Sequence, residues 1–196
     1  MTPRRAAALL AVVTGVVTGC AGNSTAITDP PLCRTGADQR AGNAVILMAQ
    51  SVPTAPWVPC IRTALPLGWG FDHLDARNGI SRFWLDSDRD GTHAVEVRLE
   101  PGCDTTGATD IPSDRAGMAR LERVRRVTPT YAGERYYRFP GGCLTFVFRL
   151  AGDSPGEALA LASQAVGVVR RTALDAQVQD ESGGRLSLDP APGGDG

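Results

Sequence analysis

The fold class is indicated most directly by Cys143–Leu150, which reads C-L-T-F-V-F-R-L. Its two sides differ: Leu144, Phe146, Phe148 and Leu150 fall on one, and Thr145, Val147 and Arg149 fall on the other. A repeat of two residues is that of a β-strand, and one wholly apolar side predicts that this side is buried. Strands with a single buried face are typical of antiparallel sheets. The stretch therefore predicts an antiparallel sheet with one face against the core.

Similar alternation earlier in the chain predicts further strands of the same sheet. Strands are predicted in Ser81–Asp86, His93–Glu100, Arg120–Val127 and Glu134–Phe139. Asn78-Gly79, just before the first of them, is a strong signal for a tight hairpin turn. In the second segment His93 falls on the same side as Val95 and Val97, which predicts that His93 faces the core. In total we expect about five or six strands.

Helices are predicted on both sides of this strand-rich region. Asp38–Ser51 has apolar residues at helical spacing, and Asp38 suits the N-cap. Ser154-Pro155-Gly156-Glu157 is a capping box, and an apolar stripe follows it as far as Val169. A closing hairpin is expected over Gln177–Leu188. The prediction is a single α+β domain, with one face of its sheet covered by the C-terminal helix and with an additional N-terminal helix.

The charge balance excludes one class of partner. The chain has 196 residues, and its 20 cationic residues are all Arg, against 21 acidic residues, for a formal net charge of −1. It therefore lacks the positive field that nucleic-acid-binding domains use to attract DNA or RNA. We expect no nucleic-acid partner.

Residues 1–20 have the layout of a bacterial secretory signal peptide. Arg4 and Arg5 form a basic start, and Ala6–Gly19 carries no charge but is shorter than the ~20 residues of a membrane span. The run ends in Val17-Thr18-Gly19-Cys20, which resembles a bacterial lipobox. That resemblance implies cleavage before Cys20, a diacylglyceryl group on its thiol, and anchoring at the outer face of the cytoplasmic membrane. An ordinary signal peptide that leaves Cys20 as a free thiol is the alternative.

A second resemblance concerns the mature domain. The absence of Lys and the phrases Leu47–Pro53 (L-M-A-Q-S-V-P) and Phe139–Cys143 (F-P-G-G-C) resemble secreted lipoproteins of high-GC actinobacteria. The resemblance is loose over the domain, and it implies an extracytoplasmic location without implying an activity.

The predicted organisation has four parts. Residues 1–19 are the signal peptide that is removed, and residues 20–32 are the lipidated N-terminus and a flexible tether, since they are small, polar and end in prolines. Residues 33–188 form the single α+β domain. Residues 189–196 are a disordered tail rich in Gly, Pro and Asp.

The four cysteines besides Cys20 predict two disulfides. Cys33, Cys60, Cys103 and Cys143 are an even number in an oxidising compartment, and three pairings are possible. Their wide spacing does not suit zinc, which favours close cysteine pairs. The proline-rich segment after the first helix should run back extended, which favours Cys33–Cys60. Cys103–Cys143 then joins the ends of two strands that we expect to be antiparallel neighbours.

Three motifs could carry chemistry, and each has a structural interpretation as well. Gly152–Gly156 matches the nucleophile-elbow pattern around Ser154, but no His follows it and Ser154 suits a helix cap. Asp86, Asp88 and Asp90 match the first half of a calcium loop whose second half is missing, so cation binding stays open. His73 and His93 could act in acid–base chemistry, although isolated histidines are more often structural. We predict no catalytic residue, no metal and no cofactor.

The predicted binding surface is the face of the sheet away from the C-terminal helix. Its candidate residues are Arg82, Trp84, Arg98, Tyr136, Arg138 and Arg149. Arg binds carboxylates and phosphates and stacks on aromatic rings, so this face suits an anionic envelope polymer or the acidic loop of an envelope protein. Pairing of these arginines with Glu96, Glu100 and Glu134 is the alternative. The sequence thus predicts a non-catalytic, lipid-anchored binding or accessory module of the envelope, with a small envelope hydrolase as the alternative.

Overall fold

The computed structural model describes residues 27–190. The predicted signal peptide, the lipid attachment at Cys20 and residues 191–196 of the predicted tail lie outside that range. The helices are α1 (Asn43–Ser51), α2 (Pro155–Ala165) and α3 (Arg171–Ser182). The strands are β1 (Trp57–Ile61), β2 (Trp69–Arg77), β3 (Ile80–Ser87), β4 (Gly91–Glu100), β5 (Thr109–Ile111), β6 (Ala119–Arg126), β7 (Tyr131–Phe139), β8 (Gly142–Leu150) and β9 (Val166–Arg170). No helix within residues 27–190 is long and apolar enough to cross a membrane.

The strands form an antiparallel sheet of seven and a separate pair. The order in the large sheet is β2-β3-β4-β8-β7-β6-β5, and β1 pairs with β9. The α+β class and the large antiparallel sheet are as predicted, but the separate β1–β9 pair was not predicted and the strand number of five or six is too low. The three-residue strand β5 is too short for any alternation to show, which is one reason for the difference.

The core lies on one face of the large sheet. Its sheet residues that are at most 2% exposed include Phe83, Leu85, Val95, Val97, Leu144, Phe146, Phe148 and Leu150. Helix α2 packs against β8, as predicted, and α1 packs against β2 and β3. The burial of this face, at about 1.5–3 kcal/mol for each large apolar side chain, is the main source of stability. We call the opposite side of the sheet the outer face.

The first helix is shorter than predicted. It begins at Asn43, after Gly42, and its N-cap receives no side-chain hydrogen bond. Asp38 lies instead in a turn that is closed by hydrogen bonds from the backbone N–H and the hydroxyl of Thr35 to the carbonyl of Arg40. Gln39 has a positive φ in this turn. The turn competes with the first turn of the predicted helix and replaces it.

The C-terminal region differs most from the prediction. Helix α2 ends at Ala165, and Val166–Arg170 is a strand because its valines favour extended backbone and find a partner in β1. The predicted closing hairpin is wrong, since α3 occupies the first half of that segment and residues 183–190 contain no strand. Gly183 ends α3 in the left-handed conformation, and its N–H donates to the carbonyl of Asp180. Gly183 and Gly184 therefore lie at the C-terminal end of a helix and not at the turn of a hairpin.

Both predicted disulfides are present. Cys33 is bonded to Cys60, and Cys103 is bonded to Cys143. The first joins the segment before α1 to β1, and the second fastens the loop after β4 over the outer face. The chain before Cys33 also belongs to the fold, because Ile27 exchanges two backbone hydrogen bonds with Leu74. The folded part thus extends into the predicted tether.

Candidate functional site

The six predicted binding residues lie on the outer face, but they do not form one open surface. The register places Arg82, Arg98, Thr145 and Tyr136 in one row across β3, β4, β8 and β7. Tyr136 is only 3% exposed, because the loop held by Cys103–Cys143 covers it together with Leu121. Its predicted role as an exposed aromatic is therefore wrong. Trp84 remains partly exposed at the other end of the face.

Carboxylates on neighbouring positions pair with the arginines near the middle of the outer face. Arg82 lies 3.1 Å from Asp75, and Arg98 lies 2.9 Å from Glu96. Across β6 and β7, Arg125 lies 2.7 Å from Glu134. Because the carboxylates of these pairs are only 14–16% exposed, each one neutralises charge that a ligand would otherwise meet. For Arg98 the solvated-face alternative is thus the one observed.

The remaining two predicted arginines differ from these. Arg138 and Arg149 are exposed, and within residues 27–190 neither side chain has an ion-pair partner. They lie toward opposite ends of the sheet, since Arg138 pairs in register with Cys143 and Arg149 pairs with Ala132. They cannot bind one small anion together.

A cluster of two histidines and an aspartate lies at the Trp84 end of the outer face. One oxygen of Asp72, Oδ2, lies 2.6 Å from His73 Nδ1 and 2.8 Å from His93 Nε2. The His73 ring stacks on Trp84, with ring centroids 4.2 Å apart. Hydrogen bonds from His93 and then from His73 lower the pKa of Asp72, which keeps this carboxylate ionised. We call these three residues the histidine cluster.

A β-bulge in β2 brings Asp72 and His73 to the same side. The register passes from Phe71 opposite Leu85 to Leu74 opposite Phe83, so Asp72 and His73 together oppose the single residue Trp84. Such bulges redirect side chains and are frequent next to functional sites. No sequence signal of strict alternation could show this, because alternation assigns adjacent residues to opposite faces.

A second irregularity places His93, contrary to the sequence prediction. Between Leu85 opposite Val95 and Ser87 opposite Gly91 the register of β3 and β4 shifts, and His93 has a φ of 52°. His93 is exposed, not buried with Val95 as its spacing predicted. Asp86 holds this backbone in place, since its Oδ1 accepts a 2.7 Å hydrogen bond from the His93 N–H.

The other sequence motifs take structural roles. Ser154 is the N-cap residue of α2, although its hydroxyl makes no capping hydrogen bond. Asp90 bonds to the hydroxyl of Ser87 and to the N–H of Gly152, while Asp86 holds His93. Within residues 27–190 the carboxylates of Asp86, Asp88 and Asp90 do not converge on a common point. The loop therefore has the hydrogen bonds of a hairpin connection.

A second concavity lies between the β1–β9 pair, the segment before α1, and α3. We call it the arginine cleft, with a volume of about 810 Å³. Its cationic lining residues are Arg34, Arg62, Arg170 and Arg40. Trp57 forms part of the wall, and the guanidinium of Arg170 lies 4.4 Å from the centre of its ring.

Among residues 27–190, three of the four cleft arginines have no carboxylate partner. Arg40 pairs with Asp180 and Glu181 of α3. Within residues 27–190, no carboxylate is in ion-pair distance of Arg34, Arg62 or Arg170. No acidic side chain lines the cleft among the described residues. The cleft is therefore a site of uncompensated positive charge in a chain whose formal net charge is −1.

Local contacts hold Arg62 in position. Its Nε donates a 2.9 Å hydrogen bond to the carbonyl of Gln164 near the end of α2, so its two terminal nitrogens remain available. Gly167 allows the close approach behind it, because a Cβ there would lie 3.0 Å from Cys33 Sγ and 3.2 Å from Arg62 Cγ. The disulfide, the glycine and Arg62 thus form one packed unit at the base of the cleft.

Sequence reasoning missed this cleft, although one signal for it was available. Arg34 directly follows Cys33, and Arg62 follows Cys60 by two residues. The predicted Cys33–Cys60 bond therefore already implied that these two arginines lie close together. Arg170 has no such signal, because the helical spacing of apolar residues as far as Val169 conceals strand β9.

The fold and the disulfides define the class of protein. Two disulfides in a domain of this kind are typical of a protein that folds outside the cytoplasm. No protein-family model, no curated protein and no solved structure matches the chain. A function can therefore be inferred only from the geometry of the arginine cleft and of the histidine cluster.

Proposed function

We propose that this protein is a lipid-anchored binding module of the cell envelope that holds an anionic polymer in the arginine cleft. The observation that carries the proposal is the group of three arginines, Arg34, Arg62 and Arg170, that share one cleft without a carboxylate partner in residues 27–190. Arginine binds oxyanions through paired N–H groups, and these charge-assisted hydrogen bonds are stronger than neutral ones.

The shape of the cleft favours an extended ligand. The three arginines are exposed and come from three separate segments, so their charges are spread along an open surface. A polymer that carries one anionic group per unit can engage several of them at once, and each added contact raises the effective concentration of the next. Trp57 supplies apolar area between the charges.

The proposed location combines two arguments. The disulfides favour the outside of the cytoplasmic membrane, and the lipobox at Val17–Cys20 supports an anchor there. Two acyl chains suffice for stable attachment, at about 0.8 kcal/mol per buried CH₂. Metabolic labelling with a tagged fatty acid should mark the wild-type protein and spare Cys20→Ala. Equal labelling of both would contradict the anchor but leave the cleft proposal intact.

The cleft is tested with two polyanions and two matched arginine variants. The mature chain carrying Cys20→Ser is titrated calorimetrically with polyphosphate and, separately, with polyglutamate. Arg62→Ala should weaken binding about 10-fold, the equivalent of roughly 1.4 kcal/mol for one charge-assisted contact. Arg98→Ala, on the outer face, should leave binding unchanged, because Glu96 already neutralises that charge.

The two polymers distinguish the chemical class of the ligand. Stronger binding of polyphosphate supports a phosphate-rich envelope polymer, and stronger binding of polyglutamate supports a carboxylate-rich polymer or an acidic partner loop. Equal loss of affinity in Arg62→Ala and Arg98→Ala would contradict the assignment of the cleft, as would the failure of both polymers to bind.

The alternative function, a small envelope hydrolase, is favoured by one specific observation. Asp72 lies within hydrogen-bond distance of both histidines, beside a groove of about 490 Å³ that Trp84, His93 and Arg149 help to line. Within residues 27–190 neither imidazole is hydrogen-bonded to a hydroxyl or thiol that could act as a nucleophile. Hydrolysis of chromogenic esters or phosphate esters that is lost in Asp72→Asn would support this alternative.

A further inference from the structure

The histidine cluster has the composition of a metal site. We propose that Asp72, His73 and His93 bind a divalent transition-metal ion of the zinc type on the outer face of the sheet. This site is separate from the arginine cleft and does not depend on the function proposed there. Imidazole nitrogens with one carboxylate oxygen form a donor set that suits Zn²⁺, whereas Ca²⁺ and Mg²⁺ prefer oxygen ligands alone.

The distances suit a single ion after a small adjustment. One potential ligand atom from each residue lies within 4.8 Å of the other two. In a tetrahedral zinc site with bonds of about 2.0–2.1 Å, neighbouring ligand atoms are about 3.3 Å apart. The nitrogen–oxygen distances of 2.6 and 2.8 Å to Asp72 Oδ2 thus need to lengthen by roughly 0.5–0.7 Å. Rotation of exposed side chains can supply that change without movement of the strands.

Two independent irregularities of the backbone converge on this point. The bulge in β2 places Asp72 and His73 on one side, and the register shift in β4 turns His93 out of the core. The φ of 52° at His93 is uncommon for a residue other than Gly and costs on the order of 1 kcal/mol. Strained residues of this kind are concentrated at ligand sites, where the surrounding structure maintains them.

Two neighbouring residues restrict the positions of the histidine ligands. Trp84 stacks on the His73 ring, and Asp86 accepts the hydrogen bond from the His93 backbone. Asp72 and His93 are exposed, so the ion would keep a coordination position open toward solvent. An ion held by three protein ligands can accept a fourth from water or from a bound molecule.

The test uses the fact that the chain contains two histidines and no others. The mature chain with Cys20→Ser, prepared without a histidine tag, is titrated with ZnCl₂ while the imidazole nitrogen resonances are recorded by NMR. The resonances of His73 Nδ1 and His93 Nε2 should move together and saturate at one Zn²⁺ per chain. Calorimetry of the same titration gives the affinity, with CaCl₂ as the comparison ion.

Two variants complete the test. His93→Gly removes a ligand and also suits the positive φ, so it should fold at least as well as the wild type while it binds Zn²⁺ at least 10-fold more weakly. Asp88→Asn, in the adjacent loop, is the matched control and should bind Zn²⁺ normally. Zn²⁺ affinity that is unchanged in His93→Gly, or lost equally in Asp88→Asn, would overturn the proposal. So would preferential binding of Ca²⁺, and none of these results would affect polyanion binding in the cleft.

Discussion

The arginines of the outer face and those of the arginine cleft differ in whether a carboxylate lies next to them. Near the middle of the outer face, Arg82, Arg98 and Arg125 each lie within 3.1 Å of a carboxylate. Arg138 and Arg149 have no carboxylate partner within residues 27–190, but they lie singly toward opposite ends of the sheet and form no group. In the cleft, Arg34, Arg62 and Arg170 have no such partner within residues 27–190. The number of arginines on a surface is thus a poor guide to anion binding. The absence of facing carboxylates is the better criterion.

The cause of the difference is the way each surface is built. Side chains on adjacent strands face each other at about 4.5–5.5 Å, so a charged face of a sheet gains stability when opposite charges are neighbours. The cleft instead collects arginines from the segment after Cys33, from the end of β1 and from the end of β9. No regular register imposes a partner on them.

The largest effect is expected for an arginine on the core side of the sheet. Arg135 is 9% exposed, lies 2.8 Å from Glu122, and donates to the hydroxyl of Ser163 in α2. Arg135→Met should lower the free energy of unfolding by about 3–5 kcal/mol, because Glu122 loses its cationic partner and keeps only the hydrogen bond from the Tyr131 hydroxyl. Urea denaturation measures the loss. The double variant Arg135→Met/Glu122→Leu should recover most of it, and a double variant as unstable as the single one would contradict this account.

Removal of either disulfide should lower the free energy of unfolding by a similar amount, but only removal of Cys33–Cys60 should weaken anion binding. They join residues separated by 27 and 40 positions, and loss of either should cost roughly 3–4 kcal/mol by the chain-entropy relation. Cys33→Ser/Cys60→Ser should also weaken polyphosphate binding, because Arg34 and Arg62 adjoin those cysteines. Cys103→Ser/Cys143→Ser should leave it unchanged. Calorimetry on the folded fraction of each variant compares them, and equal weakening would argue against the cleft.

The smallest effect concerns an acidic residue of the outer face. Burial is the largest influence on Glu100 and raises the pKa of its carboxyl, with Arg98 opposing. A carboxyl pKa that is raised on folding contributes stability below the pKa of the unfolded chain, and that contribution is lost as the pH rises through the folded-state pKa. Glu100→Gln should therefore stabilise the protein at pH 7 by under about 1 kcal/mol, with a smaller gain near pH 4. Thermal unfolding at both pH values measures this, and a larger gain at pH 4 would contradict the sign.

The sequence predicted those features that depend on local pattern or on chain return. Alternation in Cys143–Leu150 identified the strand at the centre of the sheet, and the extended return after α1 correctly paired Cys33 with Cys60. The outer-face position of Arg82 and Arg98 followed from the same alternation.

What the sequence did not predict depends on contacts between distant segments or on breaks in regular geometry. Strand β9 exists because Val166–Arg170 meets β1, and a helical spacing of apolar residues concealed that partner. The bulge at Asp72 and the positive φ at His93 leave no mark in a repeat of two residues. The histidine cluster therefore became visible in three dimensions alone, whereas the predicted Cys33–Cys60 bond already implied that Arg34 and Arg62 of the arginine cleft lie close together.

The most direct test of the contrast locates the bound anion. The mature chain with Cys20→Ser is labelled with ¹⁵N and titrated with short-chain polyphosphate while the backbone amide resonances are followed. We expect the amide resonances around Arg34, Arg62 and Gly167–Arg170 to shift, while those of β3, β4 and β8 stay unchanged. Shifts confined to the outer face around Arg82 and Arg98, with the cleft unmoved, would contradict it.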